Sequence, residues 1–282
     1  MRTEIITSAQ NPKIKNLLLL QEKSKARREQ GLFVVEGRRE LEHCLEAGFT
    51  IRTLFVCPSI FGDIDSAENY FLCSSPKNQF STNSRTNDVE SGASIIEIPE
   101  ALYRKVAYRE STEGIIAEVE YKSLKLEDLQ LPENPLIMVL ESVEKPGNLG
   151  AVLRSADAAG VDAVIFCDPL TDLYNPNLIR ASIGAIFTVP TVAASSEETI
   201  AFLKGRGIQI LTAQLQDSSL YYDIDMRRGT ALVMGTEATG LTDVWRQAAS
   251  AHIRIPMLGR LDSLNVSVSA AILLFEAVRQ RQ

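Results

Sequence analysis

The sequence has no long apolar run and no clustered metal ligands. No stretch approaches the roughly 20 apolar residues that a membrane-spanning helix needs, and the first residues lack the apolar segment of a signal peptide. The chain has 4 cysteines at wide, irregular intervals, no C-x-x-C pair and only 2 histidines. We therefore expect no membrane span, no metal, no disulfide framework and a cytoplasmic location.

The G-x-G-x-x-G fingerprint of dinucleotide-binding enzymes is also missing, which argues against a dehydrogenase. An overall basic charge is missing as well, because the formal net charge is −7. Residues 1–40 nevertheless hold nine cations against five acids. This excess predicts a weak basic patch for nucleic acid and is equally typical of a solvated helix face.

The N-terminal part, residues 1–122, mixes amphipathic helices with short strands, which predicts a smaller α/β domain. Within it, residues 62–94 are rich in Ser, Asn, Asp and Glu. They carry too little apolar surface to pack firmly, so we interpret them as a polar insertion. Residues 123–134 are polar and contain Pro132, and we predict that they form a linker.

Residues 135–282 form the second predicted domain. Apolar runs such as LIMVL, VDAVIFC, IQIL and ALVMG alternate there with helical patterns. Strands that are apolar throughout are typical of a mainly parallel sheet with helices on both faces, so the predicted fold class is α/β.

Three segments place Gly, Asn, Ser and charged residues just beyond strand ends, where open α/β sheets bind ligands. In the first, residues 141–160, Gly147 and Gly150 would permit a tight turn, and Asn148 is predicted to cap the next helix. Arg154 would lie in the second turn of that helix. Its planar guanidinium suits a phosphate, although a lone arginine is more often part of a surface salt bridge.

The other two segments are residues 231–241 and 253–281. In the former, Gly235 would let a ligand approach the backbone closely, and Glu237 is either a ligand anchor or a carboxylate favoured by the dipole of the helix that follows. In the latter, Ser263 and Asn265 stand where the terminal helix needs a cap. Taken singly, none of these segments distinguishes a ligand-binding role from a purely local structural role.

Together, the strings GNLGAVLRSADAAG, LVMGTEATGL and IPMLGRLDSLNVSVSAAILLFE resemble, in order and approximate spacing, the three motifs of the SpoU (TrmH-like) family of RNA 2′-O-ribose methyltransferases in the SPOUT superfamily. The strings ITSAQNPKIK, FVVEGRRELEHCLEAG and YRESTEGIIAEV resemble the substrate-binding domain of larger SpoU-type rRNA methylases. The resemblance does not extend over residues 62–94. Ala238 also departs from the family pattern, which more often has Ser and Gly around the glutamate.

The resemblance implies an S-adenosylmethionine-dependent enzyme that needs no metal and whose C-terminal domain forms a deep trefoil knot. The family's catalytic residues would correspond to Asn148, Arg154, Glu237, Ser263 and Asn265. Its donor-binding positions would correspond to Gly235, Ile255 and Leu264, with Thr212, Ala213 and Met257 as weaker candidates. Because a guanidinium stays protonated up to about pH 12, we expect Arg154 to bind the phosphate beside the target ribose rather than to take the ribose proton.

The resemblance further implies an RNA substrate and a homodimer formed through the C-terminal domain. The large N-terminal domain favours rRNA over tRNA, which is the alternative within the same activity. A non-catalytic RNA-binding or ribosome-assembly protein of the same fold is a second alternative, and the joint presence of the five catalytic candidates argues against it. The apolar terminal helix is either a dimer contact or a core helix.

Overall fold

The structure is a computed structural model that describes residues 4–62, 64, 67, 94–108, 113–260 and 263–282. The polar insertion predicted at 62–94 falls almost entirely outside these residues. The chain divides into two compact units, the first comprising Met1–Lys122 with Tyr174–Pro176 and the second comprising Ser123–Leu173 with Asn177–Gln282.

The first unit contains a five-stranded mixed sheet in the order β1-β4-β3-β5-β2. Its strands are β1 (Glu4–Ile5), β2 (Leu32–Glu36), β3 (Ile51–Val56), β4 (Ser94–Glu97) and β5 (Ile115–Glu120). Its helices are α1 (Pro12–Glu22), α2 (Ser24–Gln30), α3 (Arg38–Glu46), α4 (Pro58–Phe61) and α5 (Glu100–Val106). Helix α1 begins after the side-chain cap Asn11 and buries Ile14, Leu17 and Leu20 in the core of this unit.

The second unit contains a seven-stranded sheet in the order β10-β12-β9-β11-β6-β7-β8, and every pairing in it is parallel. Its strands are β6 (Leu136–Glu141), β7 (Ala163–Cys167), β8 (Thr191–Ala194), β9 (Gln209–Ala213), β10 (Ser219–Leu220), β11 (Thr230–Met234) and β12 (Ala251–Arg254). Its helices are α6 (Pro146–Ala159), α7 (Pro176–Ser182), α8 (Ala185–Thr188), α9 (Ser196–Gly205), α10 (Asp243–Ala248) and α11 (Val266–Arg281).

The central strands β6, β7 and β11 are buried along their whole length. Full burial explains why these strands are apolar at consecutive positions instead of alternating, because helices cover both faces of a parallel sheet. The predicted α/β fold with a mainly parallel sheet is confirmed, and the trefoil knot stays a prediction.

The segment 123–134, interpreted from the prolines at its end as a linker, belongs to the second unit. It contains a short 3-10 helix, Leu126–Asp128. Leu126 and Leu129 are buried in the same core cluster as Trp245 and the strand residues of the sheet. The signal for this packing was the presence of four leucines in twelve residues, of which Leu124 and Leu131 also pack against the cluster.

Candidate functional site

Loops at one edge of the seven-stranded sheet carry most of the candidate residues. Strand β11 pairs in parallel with β6 and β9, and β12 pairs in parallel with β9. The carboxyl ends of these four strands therefore meet at a single edge, which is where open α/β sheets bind ligands. The residues that follow β6, β9, β11 and β12 come together there although they are far apart in the sequence.

Helix α6 begins earlier than the sequence indicates. Lys145 is its N-cap residue and Pro146 takes the first helical position, where a proline costs no hydrogen bond. Asn148 therefore lies inside the first turn, so the predicted capping role is wrong and its side chain is available for other contacts. For the same reason Arg154 lies in the third turn, not the second. Gly147 and Gly150 are helical and do not form a tight turn.

Glu237 is the centre of a polar network. Its Oε1 atom accepts hydrogen bonds from Nδ2 of Asn265 at 2.8 Å and Nδ2 of Asn148 at 3.1 Å. The backbone N–H of Val266, at the start of α11, lies 3.5 Å from the same oxygen. The second oxygen, Oε2, lies 3.5 Å from Nζ of Lys145. One carboxylate thus joins the loops that follow β6 and β11 to the start of α11.

Asn265 links this network to the terminal helix. It is the N-cap of α11, since its Oδ1 accepts hydrogen bonds from the backbone N–H of Ser267 at 3.0 Å and from Oγ of Ser267 at 2.6 Å. Its Nδ2 donates to Glu237 and also to Oδ1 of Asn148, at 3.1 Å. The capping interpretation is therefore confirmed for Asn265. Ser263 is exposed and stands two residues before the cap.

The surroundings of Glu237 favour its ionised form. The backbone N–H of Val266 has the largest effect and holds the pKa of this carboxyl below its ordinary value; desolvation opposes it, and the ammonium of Lys145 lowers the pKa further. A carboxylate at a helix N-terminus also gains from the helix dipole. The sequence interpretation placed this effect at the helix after residue 241. The structure places Glu237 at α11 instead, because the chain returns to it from β12.

The loop that carries Glu237 depends on two glycines. A Cβ atom on Gly235 would stand 2.3 Å from the backbone carbonyl of Gly240, and Gly240 has a φ of +68°. Residues Thr236 and Gly240 close the loop with an isolated β-bridge. Gly235 therefore permits a close approach of the chain to itself, where the sequence indicated a close approach of a ligand. Ala238 is exposed and is not among the residues with positive φ, so the loop does not need glycine there.

A buried carboxylate anchors the far end of this loop. Glu141, the last residue of β6, is 3% exposed. Its two oxygens accept hydrogen bonds from Thr242, at 2.8 Å from the backbone N–H and 2.6 Å from Oγ1. Sequence reasoning missed both residues. The available signal was a charged residue at the end of an apolar strand, where burial requires a partner.

A cavity of about 410 Å³ opens beside Glu237. Its lining includes four of the six donor-binding candidates and one further catalytic candidate, namely Ala213, Ile255, Met257, Leu264 and Ser263. Thr212 and Gly235 are not in the lining. Thr212 is fully buried, and its hydroxyl pairs with Nδ1 of His252 at 2.6 Å.

Arg154 does not join the network of Asn148, Glu237 and Asn265. Its side chain is exposed on the third turn of α6, with no hydrogen bond or ion pair to any residue that the structure describes. Lys145 is the cation that contacts the network, and the sequence analysis did not single it out. Within the described ranges, no three His, Cys, Asp or Glu side chains are grouped so that they could hold a metal ion.

A family model matches the part of the chain that contains this site. The model of the SpoU rRNA Methylase family covers residues 135–275, half of the chain. The chain belongs to the SpoU rRNA methylase family. A model of the MRM3-like substrate-binding domain covers residues 11–117, in the first unit of this SpoU methylase. Both parts of the resemblance drawn from the motifs are thereby confirmed.

Curated relatives and solved structures extend over most of the chain. The 23S rRNA (guanosine-2′-O-)-methyltransferase RlmB of Bordetella pertussis is 40% identical to this SpoU methylase over 175 residues, which are 60% of this chain and 71% of the relative. The 23S rRNA (guanosine(2553)-2′-O)-methyltransferase RlmP of Bacillus subtilis is 28% identical over 270 residues, 96% of this chain and 97% of the relative. The crystal structure of an AdoMet-bound rRNA methyltransferase from Sinorhizobium meliloti has a TM-score of 0.84 and 28% identity, and the match covers 98% of each chain.

Proposed function

We propose that this protein transfers a methyl group from S-adenosylmethionine to a ribose 2′-hydroxyl of rRNA, in the cytoplasm. The observation that carries the proposal is the cavity beside the Asn148–Glu237–Asn265 network, at the edge of the sheet where the three family motifs meet. Similarity to RlmB and RlmP, which are named as 23S rRNA guanosine 2′-O-methyltransferases, supports both the reaction and the RNA class.

The cavity fits the methyl donor in size and character. Its volume of about 410 Å³ lies within the range of small-molecule sites. Its lining combines the apolar side chains of Ile255, Met257 and Leu264 with the polar residues Thr236 and Ser263. We assign donor binding to this cavity. When bound, the donor supplies a methyl group carried by a sulfonium, whose sulfur leaves as a neutral thioether without the help of a metal.

The polar network has the chemistry to position a ribose. Glu237 in its ionised form is an acceptor only, whereas the carboxamides of Asn148 and Asn265 both donate and accept. All three side chains are held by one another and by the cap of α11, so the substrate would meet groups that are already oriented. Positioning of this kind can contribute up to about 7–11 kcal/mol to lowering a barrier.

Arg154 is assigned to a phosphate next to the target ribose, with that phosphate or water accepting the proton of the attacking hydroxyl. Its exposed guanidinium has no carboxylate partner among the described residues, which leaves its planar fork open to a phosphate.

We further propose a homodimer formed through α11. This helix buries one side, including Leu273 and Leu274, in the second unit. Its other side exposes the apolar residues Val268 and Phe275, which are 47% and 48% accessible. They lie seven residues apart, on one stripe of the helix, and a second copy would cover them. Light scattering on the wild type and on Phe275→Glu tests this proposal. We expect the wild type to be a dimer and Phe275→Glu to be a monomer, and a monomeric wild type would refute the proposal.

The function is tested with radiolabelled S-adenosylmethionine, protein-free rRNA or tRNA, and nucleoside analysis. We expect label in a 2′-O-methyl nucleoside of rRNA with the wild type, and none with Arg154→Ala. Arg154→Ala should bind the donor as the wild type does, because the donor cavity does not include it. Arg227→Ala is the matched control. Arg227 pairs with Asp225 just before the amino end of β11, opposite the carboxyl end that carries the site. Label in tRNA alone, or donor binding without transfer to any RNA, would contradict the proposal.

A further inference from the structure

Lys145 is the cation in contact with the catalytic network. Its Nζ atom lies 3.5 Å from Oε2 of Glu237, a residue 92 positions away in the sequence. Among the residues that the structure describes, no other group donates to Oε2. The other oxygen of Glu237 receives three N–H groups, from Asn148, Asn265 and Val266.

The contact between Lys145 and Glu237 contributes little to the structure. The side chains are 74% and 38% exposed, and the separation of 3.5 Å is long for a charge-assisted hydrogen bond. Ion pairs of this kind are screened by water and stabilise a fold weakly. Glu237 is already oriented through Oε1, so it would keep its place if the ammonium moved away.

Two other exposed cations of the second unit, both arginines, are held differently. Arg227 places two guanidinium nitrogens on Asp225, and Arg279 places two on Glu276, in each case within three residues along the chain. These planar forks match the carboxylates that they bind. Lys145 has a flexible four-carbon stem that ends in a hydrated point charge, and it sits beside the network rather than on a distant surface.

We propose that Lys145 exchanges Glu237 for one of the two RNA phosphates that flank the target nucleotide. The inference rests on the proposed function, because it takes the Asn148–Glu237–Asn265 network as the place where the ribose binds. The exchange gives up a weak, solvent-screened contact and gains a contact with a polyanion, which also releases condensed counterions. Lys145 would therefore act in RNA binding alone, whereas the phosphate assigned to Arg154 also takes part in the chemical step.

The test compares Lys145→Met with Lys204→Met, which removes an exposed lysine from helix α9 of the same unit. Binding of protein-free 23S rRNA is measured between 50 and 200 mM salt, roughly the range in which phosphate contacts dominate affinity. For Lys145→Met we expect about tenfold weaker binding and a salt-dependence slope that is smaller by about 0.7–0.9, the loss of one phosphate contact. Lys204→Met should match the wild type.

Methyl transfer provides the second measurement. Lys145→Met should raise KM for rRNA by about the same factor as it weakens binding, with kcat and donor affinity near those of the wild type. Lys145→Arg, which keeps the charge, should restore most of the RNA affinity. Unchanged RNA binding and salt slope in Lys145→Met would overturn the inference, as would a fall in kcat at constant KM. A wild type that binds rRNA without methylating it would instead refute the proposed function and leave the binding test of Lys145 valid.

Discussion

Two carboxylates hold the two ends of one loop, and their environments are opposite. Glu237, near the start of the loop after β11, is partly exposed and contacts side chains from two other segments, the start of α6 and the N-cap of α11. Glu141, which receives the end of the loop at Thr242, is buried and bonds to that single residue. The comparison separates a group that can meet a substrate from a group that only shapes the site.

The difference between the two carboxylates explains how an exposed site stays ordered. The hydrogen bonds of Glu237 lie at the surface, where water competes for each partner and the net gain per bond is small. Those of Glu141 are partly buried, and its carboxylate, which is 3% exposed, would be costly to leave without them. The buried carboxylate therefore holds the end of the loop in place, and the exposed network uses the resulting geometry.

The largest expected effect is on activity at the exposed carboxylate. Glu237→Ala should lower kcat for methyl transfer by about 10²- to 10³-fold, because Asn148 and Asn265 lose the acceptor that orients them. The thermal midpoint should change little, since the lost bonds are exposed. A steady-state assay combined with thermal unfolding checks this. A large loss of stability with normal kcat would show that Glu237, like Glu141, serves the structure of the loop.

Gly235→Ala should destabilise the protein by about 1–3 kcal/mol and weaken donor binding. Its Cβ would meet backbone atoms of Gly240, which cannot rotate away as a side chain can. Gly147→Ala is the matched control, because a Cβ there meets nothing within 4 Å and alanine favours a helix. Denaturant unfolding and calorimetric titration with the donor measure both effects. Equal stability of the two variants would show that the loop can shift freely.

Glu141→Ala should cost up to about 1 kcal/mol of unfolding free energy, because Thr242 is exposed and water can replace the acceptor that its N–H and hydroxyl lose. Thr242→Val keeps the backbone N–H but leaves one oxygen of the buried carboxylate without its donor, so its cost should be larger, about 1–3 kcal/mol. Urea unfolding of both variants provides the comparison. A loss of activity without any loss of stability in Glu141→Ala would assign Glu141 to the reaction instead.

The smallest expected effect is a pH dependence that belongs to Glu237 alone. Its pKa in the folded protein lies below the ordinary carboxyl value of 4.5, through the Val266 N–H and Lys145. Ionised Glu237 therefore stabilises the fold above that ordinary value, and this contribution disappears as the pH falls through the lowered pKa. The difference in thermal midpoint between wild type and Glu237→Gln should be constant near neutral pH and shrink on acidification. A difference that grows in acid would contradict this.

Much of the site could be predicted because its residues stand in contiguous motifs after apolar strands. Asn148, Glu237 and Asn265 were predicted together, and the structure brings them within hydrogen-bonding distance. Their local roles were harder to predict. Asn148 was interpreted as a cap because capping is the usual role of an asparagine before a helix, but the helix begins at Pro146, three residues earlier than that interpretation requires.

Other features depend on residues that are distant in the sequence. The role of Gly235 follows from Gly240 on the opposite side of its loop, and that of Glu141 follows from Thr242, 101 positions away. The leucines of 123–134 indicate that this segment packs, and only the structure shows that the surface they contact belongs to the second unit.

Four properties follow from the sequence alone: the α/β class, the parallel sheet, the family and the set of polar residues at the strand ends. Apolar runs and motif spacing are local properties of the chain, so they can be read without a structure. Three features follow only from the three-dimensional packing. They are the oxygen of Glu237 that each partner contacts, the contact of Lys145 but not Arg154 with the network, and the hydrogen bonds by which Glu141 holds the end of the loop at Thr242. These contacts depend on distances between side chains that only the packing of the parallel strands brings to one edge of the sheet.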